Sequence, residues 1–121
     1  MNGKQIFGRA AEQKAIEHLE RLGYRLIEQN WRTKSGEIDL IMEDGSTLVF
    51  VEVKARRSNT FGSAVEALTG AKQHKLVKLA QIYISMHRRW QSEFRIDFVS
   101  IQVESGVYQI EHYKNIVGAF D

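Results

Sequence analysis

The sequence has no cysteine and no proline. Without cysteine there can be no disulfide framework, no thiolate zinc site and no cysteine nucleophile. No apolar run approaches the roughly 20 residues needed to span a bilayer. The stretch MNGKQIFGRAAEQKAIEHLE is broken by charges and lacks the apolar h-region of a secretory signal. The expected compartment is therefore the cytoplasm, with no membrane partner. His18, His74, His87 and His112 show no ligand spacing, so no histidine zinc centre is expected. A large charge imbalance is also missing, since 17 Lys and Arg face 15 Asp and Glu.

The distribution of charge says more than its sum. Residues 1–53 carry a net −2, residues 54–90 a net +7 and residues 91–121 a net −3. The basic block contains Lys54, Arg56, Arg57, Lys72, Lys75 and Lys78, and it directly follows a cluster of carboxylates. That order suits a polyanion laid over an acidic site. Taken alone, the block reads first as a solvated basic face. At 121 residues, 43% hydrophobic, the chain reads as a single domain, 1–121, with one core.

The acidic cluster lies in GEIDLIMEDGSTLVFVEVK, residues 36–54. Two apolar runs flank the turn signal Glu43-Asp44-Gly45-Ser46, which predicts a β-hairpin. Side chains alternate along a strand, so Glu37 and Asp39 share one face and Glu52 and Lys54 share another. A two- or four-residue loop pairs odd positions with even ones. All four charges then meet on one face, with Ile38, Leu40, Val51 and Val53 opposite. A one-residue slip would scatter them. Leu48 to Val51 is apolar on both faces, as in a strand covered on both sides. Charges at the end of such a strand are costly unless they are paired or bind something. The bland reading is a solvent-facing edge with Glu–Lys cross-strand pairs. The sharper one is a divalent-metal site beside a lysine.

Residues 5–22 predict an amphipathic helix with the stripe Ile6, Ala10, Ala15, Ile16, Leu19 and Leu22. Glu12 lies one turn from Gly8, which would let the helix pass close to a sheet. Residues 24–31 read as a strand. The following Ser35-Gly36 would let a phosphate approach the backbone or simply form a turn. Residues 55–63 read as a loop on the substrate side, and residues 63–68 as the start of a helix. A second helix is expected over 71–88, with Leu76, Leu79, Ala80 and Tyr83 as its core stripe, widened by Val77 and Ile84. Lys72, Lys75 and Lys78 form a ridge beside that stripe, and Lys72 and Gln73 are expected nearest the cleft. Residues 94–103 and 107–113 flank Ser105-Gly106 as a second hairpin. Arg95 and Asp97 share a face there and read first as a structural ion pair. Trp90 would stack on a base or cap the core. The order α-β-β-β-α-β-β fits an α/β three-layer sandwich, a central mixed sheet flanked by helices.

Asp39 followed on the next strand by Glu52-Val53-Lys54 resembles the D…(D/E)-x-K signature of the PD-(D/E)XK nuclease superfamily. The proline that many members carry before the aspartate is Ile38 here. GEIDLI, VFVEVKAR, the early Gly8-Arg9-Ala10-Ala11-Glu12 and the late Arg95-x-Asp97 together resemble the small bacterial YraN-like family. That family is described as predicted endonucleases similar to archaeal Holliday-junction resolvases. The resemblance runs from about Gly8 to Phe120 and implies a restriction-endonuclease-like fold with nuclease activity on DNA, branched or junction DNA included. It implies Mg²⁺ or Mn²⁺ on Asp39 and Glu52, with Glu12 and the Val53 carbonyl as further ligands and Lys54 beside the attacking water. Arg56, Arg57, Lys72, Lys75 and Lys78 would contact nucleic acid. Glu37, Gln73, Arg95 and Asp97 have no fixed role, and a homodimer is left open. Two other classes stay in view: a nucleic-acid-binding module that kept the carboxylates but lost turnover, and a protein-interaction domain.

Overall fold

The computed structural model describes residues 2–57 and 68–117. Its elements are α1 (Gly3–Arg21), β1 (Arg25–Thr33), β2 (Gly36–Asp44), β3 (Thr47–Arg57), α2 (Gly70–Met86), β4 (Phe94–Glu104) and β5 (Val107–Tyr113). The strands form one sheet in the order β1-β2-β3-β4-β5. β3 and β4 run parallel, and the other neighbours are antiparallel. A parallel pair needs a crossover connection, and α2 lies within it. α1 and α2 pack on opposite faces, each over its own apolar cluster. The expected three-layer α/β architecture is what the chain adopts.

β3 is the strand covered on both sides. Leu48, Val49, Phe50 and Val51 are all 0% exposed, Leu48 and Phe50 toward α2 and Val49 and Val51 toward α1. Each contributes about 1.5–3 kcal/mol of transfer free energy. β3 runs on to Arg57, so Ala55, Arg56 and Arg57 are strand rather than loop. The remainder of that expected loop, and residues 63–67 of the expected helix start, lie outside the described residues. Leu68 and Thr69 are not helical.

α1 begins at Asn2, which closes a capping box with Gln5, an arrangement worth about 1 kcal/mol. Its buried stripe is Ala11, Ala15, Ile16 and Leu19. Ala15, Ile16 and Leu19 are buried as expected, Ala11 takes the place of Ala10, and the outlying Ile6 and Leu22 are 55% and 54% exposed. The correction brings Glu12 to the edge of the sheet-facing side, one position from Ala11. Close approach of helix to sheet rests on the small side chains of Ala11 and Ala15. Gly8 plays no part in it, since a Cβ built there would meet nothing within 4 Å.

α2 is capped by Thr69, whose side chain accepts from the Lys72 N–H. Leu76, Leu79, Ala80, Tyr83 and Ile84 are buried as expected. The Tyr83 ring meets Trp31 and Phe50 edge-on at 5.3 and 5.6 Å between centroids. Trp90 is 66% exposed and does not cap the core. No helix among the described residues is long and apolar enough to cross a membrane.

Candidate metal and nucleic-acid site

The site forms where β2 and β3 separate. Their ladder runs from Asp44 opposite Thr47 to Leu40 opposite Val51 and stops, while β2 stays paired with β1 as far as Gly36. The pairing is odd-to-even, as the hairpin pattern requires. At the fork the Asp39 side chain replaces the missing backbone partner, its Oδ2 accepting from the Val53 N–H at 2.8 Å. The two polar groups of one strand residue point to the same neighbouring strand. The Val53 carbonyl is therefore directed to the same side as the N–H that Asp39 receives.

Three of the four charges meet as expected, Glu37, Glu52 and Lys54 lining one cavity, and Asp39 does not line it. Leu40, Val51 and Val53 belong to the α1 side, but Ile38 packs on the α2 side, so alternation along β2 breaks at Asp39. Glu52 and Lys54 line a cavity of about 210 Å³ beneath α2, together with Lys72 and Lys75. Its apolar wall is Leu68, Leu76, Leu79 and Phe98. A second cleft of about 210 Å³ opens on the α1 side, lined by Gln5, Gly8, Arg9, Glu12, Asn30 and Arg32. Glu37 lines both and is paired with Arg32 Nε at 3.1 Å. Asp39 lines neither and sits between them, partly buried.

Burial, then the adjoining Asp39 carboxylate, pushes Glu52 up to about 8, against the opposing fields of Lys72 and Lys54. Burial also raises Asp39, while the Val53 N–H and a hydrogen bond with Glu52 pull it back. At neutral pH without a cation the pair therefore retains a proton between its two carboxyl groups. Glu12 is raised as well, by burial first and by Asp39 second, with a hydrogen bond from Asn30 working the other way. The first helix thus brings its carboxylate within the field of Asp39 and Glu37. Among the described residues, no three His, Asp or Glu side chains converge as a ready-made metal cage.

The basic block is sorted by geometry. Lys72 and Lys75 line the α2-side cavity, and Lys78 does not. Gln73 is buried beside them, its amide donating to the Leu68 carbonyl at 3.4 Å. On β3 the alternation divides the arginines: Arg57 turns to the α1 side and lies over the Phe7 ring at 4.7 Å, which leaves Arg56 on the opposite face. Gly36 has φ +148, and a Cβ there would come within 2.8 Å of Lys75 Cε. What approaches the Gly36 backbone is the stem of Lys75.

Arg95 and Asp97 form an ion pair, Nε to Oδ1 at 3.0 Å. Arg95 also reaches Asp44 and the Tyr24 hydroxyl. Asp97 is 0% exposed and accepts from His112 Nε2 at 2.7 Å and the Asn115 N–H at 3.0 Å. Burial pushes its carboxyl up, but these donors outweigh that and hold it below its ordinary value. The network ties β4 to β5 and to the segment after it. The sequence reading also missed Asn30. It holds φ 55 on β1, just past an irregularity between Leu26 and Glu28. The available signal was an asparagine inside a strand-like run, where that residue is depleted.

The family model described as "Uncharacterised protein family UPF0102" matches residues 11–101. The chain belongs to UPF0102. The match spans Glu12, Asp39, Glu52 and Lys54, and it bears out the YraN-like resemblance at the level of this family. UPF0102 proteins similar to the chain include one of Ectopseudomonas mendocina (strain ymp), 44% identical over 100% of this chain and 99% of its own length. One of Stutzerimonas stutzeri (strain A1501) is 42% identical over 95% and 97%. One of Vibrio campbellii (strain ATCC BAA-1116) is 48% identical over 81% and 82%. These UPF0102 relatives agree with the chain in length as well as in sequence.

Proposed function

We propose that this UPF0102 chain is a divalent-metal-dependent phosphodiesterase of the PD-(D/E)XK type that cuts DNA. The observation that carries the reading is the contact between the Asp39 and Glu52 carboxylates at the β2–β3 fork, with Lys54 two residues beyond Glu52. Two desolvated carboxylates held together are unfavourable unless a proton or a cation lies between them. The donors are all oxygen, as Mg²⁺ and Mn²⁺ prefer, and Mg²⁺ is commonly held by one or two carboxylates while keeping several waters.

Asp39 and Glu52 would hold the ion, with the Val53 carbonyl and Glu12 as further donors, Glu12 directly or through a water. Bound there, the ion supplies charge neutralisation on the phosphate and a more acidic water. Lys54 would orient or help deprotonate that water, or stabilise charge developing on the phosphate. Lys72 and Lys75 would hold phosphates in the α2-side cavity.

The competing class is a nucleic-acid-binding module that kept the carboxylate pair without turnover. A cleavage screen separates the two: branched, nicked and single-stranded DNA with Mg²⁺ and with Mn²⁺, beside Asp39→Ala. Cleavage by wild type and none by Asp39→Ala is the expected result. DNA binding without cleavage of any substrate would hand the site to the binding module.

A further inference from the structure

Two local choices in this chain are unfavourable on their own terms, and both face the α1-side cleft. Gly8 lies inside α1, where glycine costs roughly 0.5–1 kcal/mol relative to alanine. Among the described residues no atom requires the space it leaves, because a Cβ there would have nothing within 4 Å. Asn30 is held at φ 55 on β1, a left-handed conformation that costs a non-glycine residue on the order of 1 kcal/mol or more. Its amide joins the same wall as Gly8 and hydrogen-bonds the Glu12 carboxyl there. The chain thus keeps a space open and holds a donor-bearing side chain against it.

The cleft also carries two guanidinium groups, Arg9 and Arg32, against the carboxyl groups of Glu12 and Glu37. Arg32 uses Nε for Glu37 at 3.1 Å, and its side chain is 74% exposed. Its terminal nitrogens are left to face solvent, in the planar fork that matches a phosphate. Glu37 is the shared wall between this cleft and the lysine-lined cavity, and its charge is already matched by Arg32.

We propose that the Gly8–Arg9–Asn30–Arg32 cleft is a second phosphodiester subsite. One nucleic-acid strand passes over Glu37, with successive phosphates held by lysines on the α2 side and by arginines on the α1 side. The space beside Gly8 admits the sugar-phosphate backbone, and Asn30, whose amide serves Glu12 through one N–H, donates the other to it. This deepens the nucleic-acid reading above and rests on it.

The test is binding of a fluorescein-labelled 12-residue oligothymidylate, measured by anisotropy in EDTA. Thermal unfolding is recorded on the same proteins. Gly8→Leu is expected to unfold at the same or a higher temperature yet bind at least 10-fold more weakly. A purely structural glycine would move both readings down together. Arg9→Ala/Arg32→Ala is expected to bind about 10-fold more weakly, with a shallower salt dependence, by about 0.7 in the log–log slope for each lost contact. If Gly8→Leu unfolds early, the double-arginine variant decides alone. Wild-type affinity in the double-arginine variant, with weakened binding in Lys72→Ala/Lys75→Ala, overturns the subsite and leaves the nucleic-acid reading standing. Failure of wild type to bind this probe, a duplex or a branched DNA overturns both.

Discussion

The backbone N–H of Val53 donates to Asp39 Oδ2 at 2.8 Å, so β2's aspartate is fixed by the strand that presents Glu52 and Lys54. The bond spans the fork where the β2–β3 ladder has ended. It holds the Asp39 carboxyl group in contact with that of Glu52.

The first expectation concerns metal. Calorimetry on wild type should register Mn²⁺ binding, and Asp39→Ala and Glu52→Ala should each abolish it. Unchanged binding in both variants would remove these residues from the ligand set.

The pair also sets a pH dependence. The folded Glu52 carboxyl is raised from 4.5 to about 8, so between those values the folded state holds a proton that the unfolded chain has released. Stability in metal-free buffer should therefore fall as pH rises across that window and level off above it. Glu52→Gln should flatten the profile and exceed wild type at pH 9. Urea midpoints in EDTA at several pH values check this, and parallel profiles for the two proteins would contradict it.

Lys54 separates catalysis from binding. Lys54→Ala should leave metal and DNA affinity nearly intact while slowing single-turnover cleavage by on the order of 10²-fold or more. Lys54→Arg should not restore the rate, because a guanidinium does not give up its proton at working pH. Rate and affinity must be measured separately. Wild-type rates in both variants would show that Lys54 is not catalytic.

The sorting of the basic block predicts unequal contributions. Lys72→Ala/Lys75→Ala should weaken DNA binding across sequences and lower its salt dependence. Lys78→Ala should change little, since that side chain lies outside the cavity. Arg56→Ala should matter more than Arg57→Ala, whose guanidinium lies over Phe7. Equal effects of all five substitutions would point to diffuse attraction rather than a defined path.

Asp97 should behave as a structural residue. Asp97→Asn leaves Arg95 and His112 partly unmatched in the interior and should destabilise by on the order of 3 kcal/mol. Oligonucleotide affinity per folded molecule should stay unchanged. Because the carboxyl is held below 3.8, its contribution is present above that pH and is lost as pH falls through the lowered value. Acid unfolding of wild type and variant, followed by circular dichroism, tests this.

The sequence by itself determined the elements and the parity of the hairpin. Unbroken apolar residues from Leu48 to Val51 mark a strand buried on both faces. The 3.6-residue spacing of Leu76, Leu79, Ala80 and Tyr83 marks α2. The odd-to-even pairing holds along the whole ladder, from Asp44 opposite Thr47 to Leu40 opposite Val51. These are local periodicities, and tertiary contacts did not override them. Tertiary structure decided what lies between elements. Where the β2–β3 ladder ends is set by strand separation, which no pattern in either strand records, and that end moves Ile38 to the α2 side and leaves Glu37 between two cavities. The stripe of α1 depends on how the helix rolls against the sheet, and Ala11 and Ala15 settle it because they are small enough for contact. Lys72 and Lys75 reach the carboxylates only because α2 crosses the face that bears Glu52, and Asn30 meets Glu12 only because α1 lies on the other. Such meetings depend on the order of strands and the sides of helices, which a single chain's periodicity does not encode.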